Sequence, residues 1–210
     1  RRNGVGNEQT DAYLRITVSR GAGEIGLDPG LCPRATVVIM AKPLHPSPPV
    51  LSRDGVSLTV ANTRRNLPEA LSPQIKSTNF LNNILAKRES IAAGTFDSLF
   101  LNWKDELTEC TVSNLFFISG KTLHTPALDC GILDGITRTI VMTLAQEEGV
   151  PVREGHYHLA DLQRAEECFL TNTSMEIMPV NRVDSFAIGD GRPGSLTRRL
   201  QTRFADSRTR

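Results

Sequence analysis

Four prolines within eight residues, Lys42-Pro43-Leu44-His45-Pro46-Ser47-Pro48-Pro49, constrain this chain more than any other stretch. Each proline holds φ near one value and carries no N–H, so the segment lacks the donors of a sheet and reads as an extended connection. The chain is therefore expected to fold in two parts. Residues 1–42 form the first, residues 43–52 a linker, and residues 53–210 the second and larger part.

Ahead of the prolines there are two strand patterns, Ala12-Tyr13-Leu14-Arg15-Ile16-Thr17-Val18 and Ala35 to Met40. The opening Arg1-Arg2-Asn3-Gly4 has neither an initiator Met nor a targeting pattern, so the first part reads as the remnant of a small N-terminal domain. Between the strands, Gly21-Ala22-Gly23-Glu24-Ile25-Gly26 has the G-x-G-x-x-G spacing of a dinucleotide fingerprint. The next residues, Leu27-Asp28-Pro29-Gly30, make a turn and not the helix that would supply a phosphate-binding dipole, so a plain loop is expected.

Behind the prolines the elements alternate irregularly. Val56 to Val60 reads as a strand, Asn79 to Gly94 as a helix closed by glycine, and Asp97 to Asn102 as a strand. Asn114 to Ile118 and Lys121 to Thr125 form a hairpin around Ser119-Gly120, followed by a helix from Ile136 to Glu148. A strand at Val150 to Tyr157, a short helix at Leu159 to Ala165 and a strand at Glu167 to Thr171 come next. Asn181 to Ile188 holds a further strand and turn, and Ser195 to Phe204 a terminal helix. Such a mixture with local hairpins predicts an α+β fold in place of a doubly wound sheet.

A net charge of +1 gives no reason to seek nucleic acid, and 39% hydrophobic content over 210 residues is enough for a real core. No apolar run approaches the ~20 residues that cross a bilayer, and the longest, around Ala35 to Ala41, suits a strand, so no membrane role is expected. Cys32, Cys110, Cys130 and Cys168 are widely spaced with no C-x-x-C pair, and predict reduced thiols in the cytoplasm. His45, His124, His156 and His158 lack ligand spacing, with the last two on one face of a strand, and no metal site is expected. Arg198, Arg199, Arg203, Arg208 and Arg210 read as a solvated helix face and tail.

Lys76 stands alone among apolar and small polar residues in Ile75-Lys76-Ser77-Thr78-Asn79-Phe80. Burial there would disfavour the ammonium form and leave an amine able to attack an aldehyde. Glu109 precedes the apolar run Leu115-Phe116-Phe117-Ile118, where a buried carboxylate needs a cationic or donating partner. Gly135-Ile136-Thr137 opens a helix whose free first-turn N–H groups make an anion site, or else only an ordinary N-terminus. Thr171 to Ser174 adds hydroxyls and amides at a strand end.

Four of these segments, in order, resemble the class IV aminotransferases, the fold type IV enzymes of pyridoxal 5′-phosphate. They are Ile75 to Lys87, Thr108 to Phe116, Gly135 to Arg138 and Thr171 to Val180. The resemblance implies a truncated small N-terminal domain followed by a larger C-terminal α/β-barrel-like domain. It implies that Lys76 anchors the cofactor and moves the substrate proton. Glu109 would face the cofactor ring nitrogen, and Ile136, Thr137 and Thr173 would hold the phosphate. The implied reaction moves an amino group between an amino acid, branched-chain or otherwise apolar, and a 2-oxo acid, in a homodimer. Aminodeoxychorismate lyase, D-amino acid aminotransferase and an inactive truncated relative are the alternatives. Two departures stand out. The family's phosphate-gripping arginine falls upstream of this chain's start, which implies weak cofactor retention, and Phe80 stands where branched-chain members tend to carry tyrosine.

Overall fold

The structure is a computed structural model that describes residues 12–207. The chain divides into two compact units, Arg1–Pro46 and Ser47–Arg210. Arg1 to Gly4, Arg208 and Arg210 lie outside the described residues.

In the first unit, β1 (Ala12–Ser19) and β2 (Thr36–Pro43) pair antiparallel, with Ala12 opposite Pro43 and Ser19 opposite Thr36. The glycine-rich segment between them is a loop, as expected. Gly21 has φ +93°, and a Cβ there would collide with the Arg34 carbonyl oxygen, so the glycine is required by a close backbone approach. Only a single 3-10 turn follows, Pro29–Leu31, capped by Asp28 through the Gly30 N–H at 2.8 Å.

The proline segment differs in local structure from the extended connection expected. β2 runs through Pro43, at the end of a ribbon in which a missing donor breaks no central ladder. In the second unit Pro49 and its successors turn into a helix, α1 (Pro49–Asp54), because proline in the first turn loses only an N–H that has no helical acceptor.

The second unit continues with β3 (Val56–Val60), α2 (Leu81–Ala92), β4 (Asp97–Leu101), β5 (Leu107–Cys110), β6 (Asn114–Ser119) and β7 (Thr122–Pro126). Then come α3 (Ile136–Glu147), β8 (Val152–Gly155), α4 (Leu159–Gln163), β9 (Glu167–Asn172), β10 (Glu176–Val183), β11 (Phe186–Ala187) and α5 (Ser195–Ser207). Six strands pair in a closed ring, β3-β4-β5-β6-β9-β10 and back to β3. β3 runs parallel to β4 and β10, and the other four pairings are antiparallel. This is the barrel-like α+β arrangement expected. β7 and β8 extend from β6, and β11 extends from β10.

Period-two alternation sorts each ring strand between two cores. Leu115 and Phe117 of β6, Cys168 and Leu170 of β9, and Met178 and Val180 of β10 fill the ring interior. Phe116 and Ile118, Phe169 and Ile177 point the other way, onto Val141, Leu144 and Ala145 of α3 and Leu196, Leu200 and Phe204 of α5. Both faces are therefore dry, which is why β6 reads as an unbroken apolar run. The β6–β7 turn places Gly120 and Lys121 at φ 57° and 64°, the twist that a two-residue hairpin loop needs.

Two strands went unread in the sequence. β5 is only four residues long and holds a glutamate, and β10 begins at Glu176 and not near Asn181. Pro179 disguises that start. It sits opposite Phe169 of β9, ahead of Val180, where the pairing with β3 begins. At the C-terminal helix Arg198 and Arg199 are exposed as expected, whereas Arg203 is half-buried and pairs with Glu148 at 2.9 Å. Among the described residues no helix is long and apolar enough to cross a membrane, and all four cysteines are free thiols.

Phe116 and Phe169 stack with ring centroids 5.1 Å apart, and neither ring is exposed. Phe169→Ala should cost about 3–5 kcal/mol, the range for emptying an aromatic core position, read as a lowered midpoint in denaturant unfolding. A loss under about 1 kcal/mol would mean that the outer core is not assembled around this pair.

Candidate active site

Glu109 lies on β5 at the one register position where β5 and β6 pair, opposite Asn114. Asn114 in turn pairs with Thr171 of β9, so three polar residues sit side by side across adjacent strands, at the end of the ring. Both Asn114 and Thr171 fall on the outer register of their strands, in step with Phe116 and Phe169. Toward this point comes the segment that leads into α3.

The Glu109 side chain is almost wholly buried, and each carboxylate oxygen is engaged. Oε1 accepts from Arg65 Nη2 at 2.6 Å. Oε2 accepts from Asn114 Nδ2 at 3.1 Å and from the Leu133 N–H at 3.0 Å. Asn114 also donates to the Leu133 carbonyl at 2.8 Å, so one amide clamps the approach to α3 against the strands. Burial pushes the Glu109 carboxyl up to about 7, against the opposing pull of Arg65, the Leu133 N–H and the charge of Lys76.

Arg65 gives Glu109 a cationic partner from within the chain itself. The Arg65 side chain is 7% exposed, its guanidinium lies 5.2 Å from the Phe100 ring centroid, and its Nη1 donates to Asn82 at 3.1 Å and Asn83 at 3.3 Å. Those asparagines open α2, a few residues beyond Lys76, so the lysine segment and the carboxylate are joined through this arginine.

Lys76 itself is exposed, which corrects the expectation of a desolvated amine. The reason is local. The segment folds into tight turns, Ile75 N–H to Ser72 O at 3.1 Å and Ser77 N–H to Ile75 O at 2.8 Å, and these leave the side chain outside the core. Its charge still acts on Glu109, so the two groups share one region of the molecule.

The start of α3 is built for close approach. Gly135 is its N-cap, with no side chain capping the first turn. A Cβ on Gly135 would collide with Asn114 Oδ1, so glycine here leaves Asn114 in place. Thr137 is buried and Ile136 exposed. Thr173 is exposed on the turn between β9 and β10. That turn is set by Asn172, whose Oδ1 accepts from the Ser174 and Met175 N–H groups at 2.9 Å, and Asn172 Nδ2 donates to Val112 O at 3.2 Å in the β5–β6 turn.

Three buried polar atoms in this neighbourhood lack a partner: Arg65 Nε, Ser113 Oγ and Thr171 Oγ1. Unsatisfied buried groups are costly, and a cluster of them beside a paired carboxylate and an uncapped helix start suits a polar ligand with an anionic end. Arg65 and Asn114 were missed in the sequence, while Thr171 was read there within the cluster Thr171 to Ser174. The Arg64-Arg65 doublet after β3 was the available signal for the first, and Asn114 looks there like an ordinary strand residue.

A family model described as amino-transferase class IV matches residues 1–183. A putative branched-chain-amino-acid aminotransferase of Methanocaldococcus jannaschii is 39% identical over 204 residues, covering 97% of this chain and 70% of that protein. Aminodeoxychorismate lyase of Bacillus subtilis is 33% identical over 191 residues, covering 91% of this chain and 64% of the relative. The crystal structure of the T.th. branched-chain amino acid aminotransferase with pyridoxamine 5′-phosphate superposes with a TM-score of 0.88 at 28% identity, over 93% of this chain and 64% of that one. The chain thus spans between 64% and 70% of the length of these three proteins.

The raised carboxyl at position 109 has a consequence for stability. Folding takes up a proton there, so its contribution is complete below the ordinary value of 4.5 and is lost as pH rises through about 7. Denaturation midpoints measured from about pH 4 to about pH 8 should fall for the parent chain relative to Glu109→Gln across that window. Parallel curves would contradict a buried, proton-sharing carboxyl.

Proposed function

Because this chain belongs to the amino-transferase class IV family, we propose that it is a pyridoxal 5′-phosphate enzyme that moves an amino group between a branched-chain or other apolar amino acid and a 2-oxo acid. The observation that carries the reading is the buried Glu109 paired with Arg65, which also bonds the asparagines that open α2 a few residues beyond Lys76.

The residues present fit the cofactor. Its anionic phosphate suits the uncapped first turn of α3 at Ile136 and Thr137, with the Thr173 hydroxyl as a further donor. Glu109 would receive the ring nitrogen, and the unpartnered Ser113 and Thr171 hydroxyls lie in the same neighbourhood. When bound, pyridoxal phosphate supplies an aldehyde for covalent attachment and a ring that accepts the electrons released when a substrate Cα–H bond breaks.

The chain's own groups then divide the work. Lys76 Nζ would hold the aldehyde and would take up and return the substrate α-proton as general base and acid. Glu109 would favour a positive charge on the ring nitrogen, and Arg65 limits how far burial can neutralise Glu109. Asn114 holds Glu109 and the α3 approach in register.

We further propose a cytoplasmic homodimer. The free thiols suit a reducing compartment. Leu81, Ile84, Leu85 and Ile91 of α2 are exposed, an apolar face suited to a second copy of the chain.

The test is reconstitution with excess pyridoxal phosphate. The parent chain should develop the visible absorption of covalently held cofactor, and Lys76→Ala should lose it together with at least about a hundredfold in turnover. L-valine alone should discharge the band and a 2-oxo acid should restore it; discharge only by D-alanine, or release of pyruvate from aminodeoxychorismate, would move the reading to the D-amino acid enzyme or the lyase. A colourless chain in excess cofactor would overturn it.

A further inference from the structure

Three residues from separate parts of the sequence converge: Glu106 ahead of β5, Cys130 in the 3-10 turn Leu128–Cys130, and His156 just after β8. Among the described residues their ligand atoms all lie within 4.8 Å of one another. Cys130 and Glu106 are buried, while the His156 side chain is 46% exposed, so the cluster has a dry side and a side open to water.

Two of its edges have the lengths of a coordination shell. His156 Nδ1 lies 3.1 Å from Glu106 Oε1 and 3.5 Å from Cys130 Sγ. A tetrahedral zinc ion, with bonds of about 2.0–2.1 Å to nitrogen and oxygen and about 2.3 Å to sulfur, sets such edges at roughly 3.3 and 3.5 Å.

The surroundings are also those of a metal site. His156 Nε2 lies 3.3 Å from Asp129 Oδ2, the outer carboxylate that commonly fixes a ligating imidazole with its other nitrogen free. In that tautomer the Nδ1 lone pair faces the Glu106 carboxylate and the Cys130 sulfur at once, and one proton bridges only one of those lines, whereas a cation satisfies all three atoms. Asn102, with no exposed surface, fixes two of the ligand segments: its Nδ2 donates to Glu106 Oε2 at 2.7 Å and to the Cys130 carbonyl at 3.2 Å. Two of the three ligands are thus held in place by a buried amide whether or not an ion is bound.

We propose that Glu106, Cys130 and His156 form a binding site for a divalent transition-metal ion of zinc type, with water in the fourth position. Thiolate with imidazole and carboxylate selects such ions over magnesium and calcium, which take oxygen ligands. The histidine spacing that argued against metal in the sequence does not bear on this site, since only one histidine takes part and its co-ligands lie 26 and 50 residues away.

Binding would tie the Glu106 turn, the Leu128–Cys130 turn and the end of β8 together. Cys130 also lies three residues before Leu133, whose N–H holds Glu109, so an ion here would stiffen the approach to α3.

The test is titration of the full chain with Zn2+ in competition with a chromogenic chelator, and with Co2+ as a spectroscopic probe. One ion per chain is expected, with a sulfur-to-cobalt charge-transfer band. Cys130→Ser should abolish that band, and His156→Ala should weaken affinity by more than the roughly 10–100-fold expected for Asp129→Asn, an outer-shell change. Lys76→Ala should leave metal affinity unchanged. His156→Ala is at a half-exposed position and Cys130→Ser is nearly isosteric, so circular dichroism should report a folded chain in both. Binding that is equal in parent and His156→Ala, or a Co2+ complex with no sulfur band, would overturn the site and leave a hydrogen-bonded imidazole in its place.

Discussion

The buried carboxylate of Glu109 is the constraint around which the second unit is organised. An ionised group with almost no exposed surface is tolerable only if charge and hydrogen bonds surround it, and here they come from three directions. Arg65 reaches in from the loop after β3, Asn114 from the neighbouring strand, and the Leu133 N–H from the approach to α3. Each donor is itself held by another element, Arg65 by Asn82 and Asn83, and Asn114 by the Leu133 carbonyl. One side chain therefore fixes the relation of the lysine loop, the strand ends and a helix start. The same burial that makes Glu109 demanding raises its proton affinity toward neutrality, where its charge responds to what lies beside it.

The ring of strands makes this possible. A closed ring with an apolar interior and an outer apolar layer under α3 and α5 surrounds the polar group with dry structure. Glu109, Asn114 and Thr171 sit at the end of the ring, where the alternation that sends Leu115 and Leu170 inward sends Asn114 and Thr171 outward. Gly135 completes the arrangement by lacking the atom that would push Asn114 aside. The Glu106–Cys130–His156 cluster arises from the same logic, with Asn102 joining two connections that the ring brings together.

Much of this was legible before the structure. The α+β class and most strands and helices follow from pattern, and ordered likeness to one family singles out Lys76, Glu109 and the Gly135-Ile136-Thr137 turn. The misreadings share a cause. Lys76 was expected to be buried because its neighbours are apolar, yet a run of local turns leaves it exposed. β5 was missed because four residues carrying a glutamate show no strand period, and the start of β10 was hidden by a proline that pairing with β9 alone tolerates.

What the sequence by itself determined is what depends on near neighbours: where apolar periods begin and end, where glycine or proline interrupts them, and which residues have reactive side chains. Only the tertiary structure decided which of those side chains meet. Glu109 lies 44 residues from Arg65, and Cys130 lies 26 from His156, and no local period encodes either distance. The ring brings the first pair to a few ångströms and the β7–β8 pairing the second, and that proximity turns a glutamate, an arginine, a cysteine and a histidine into partners.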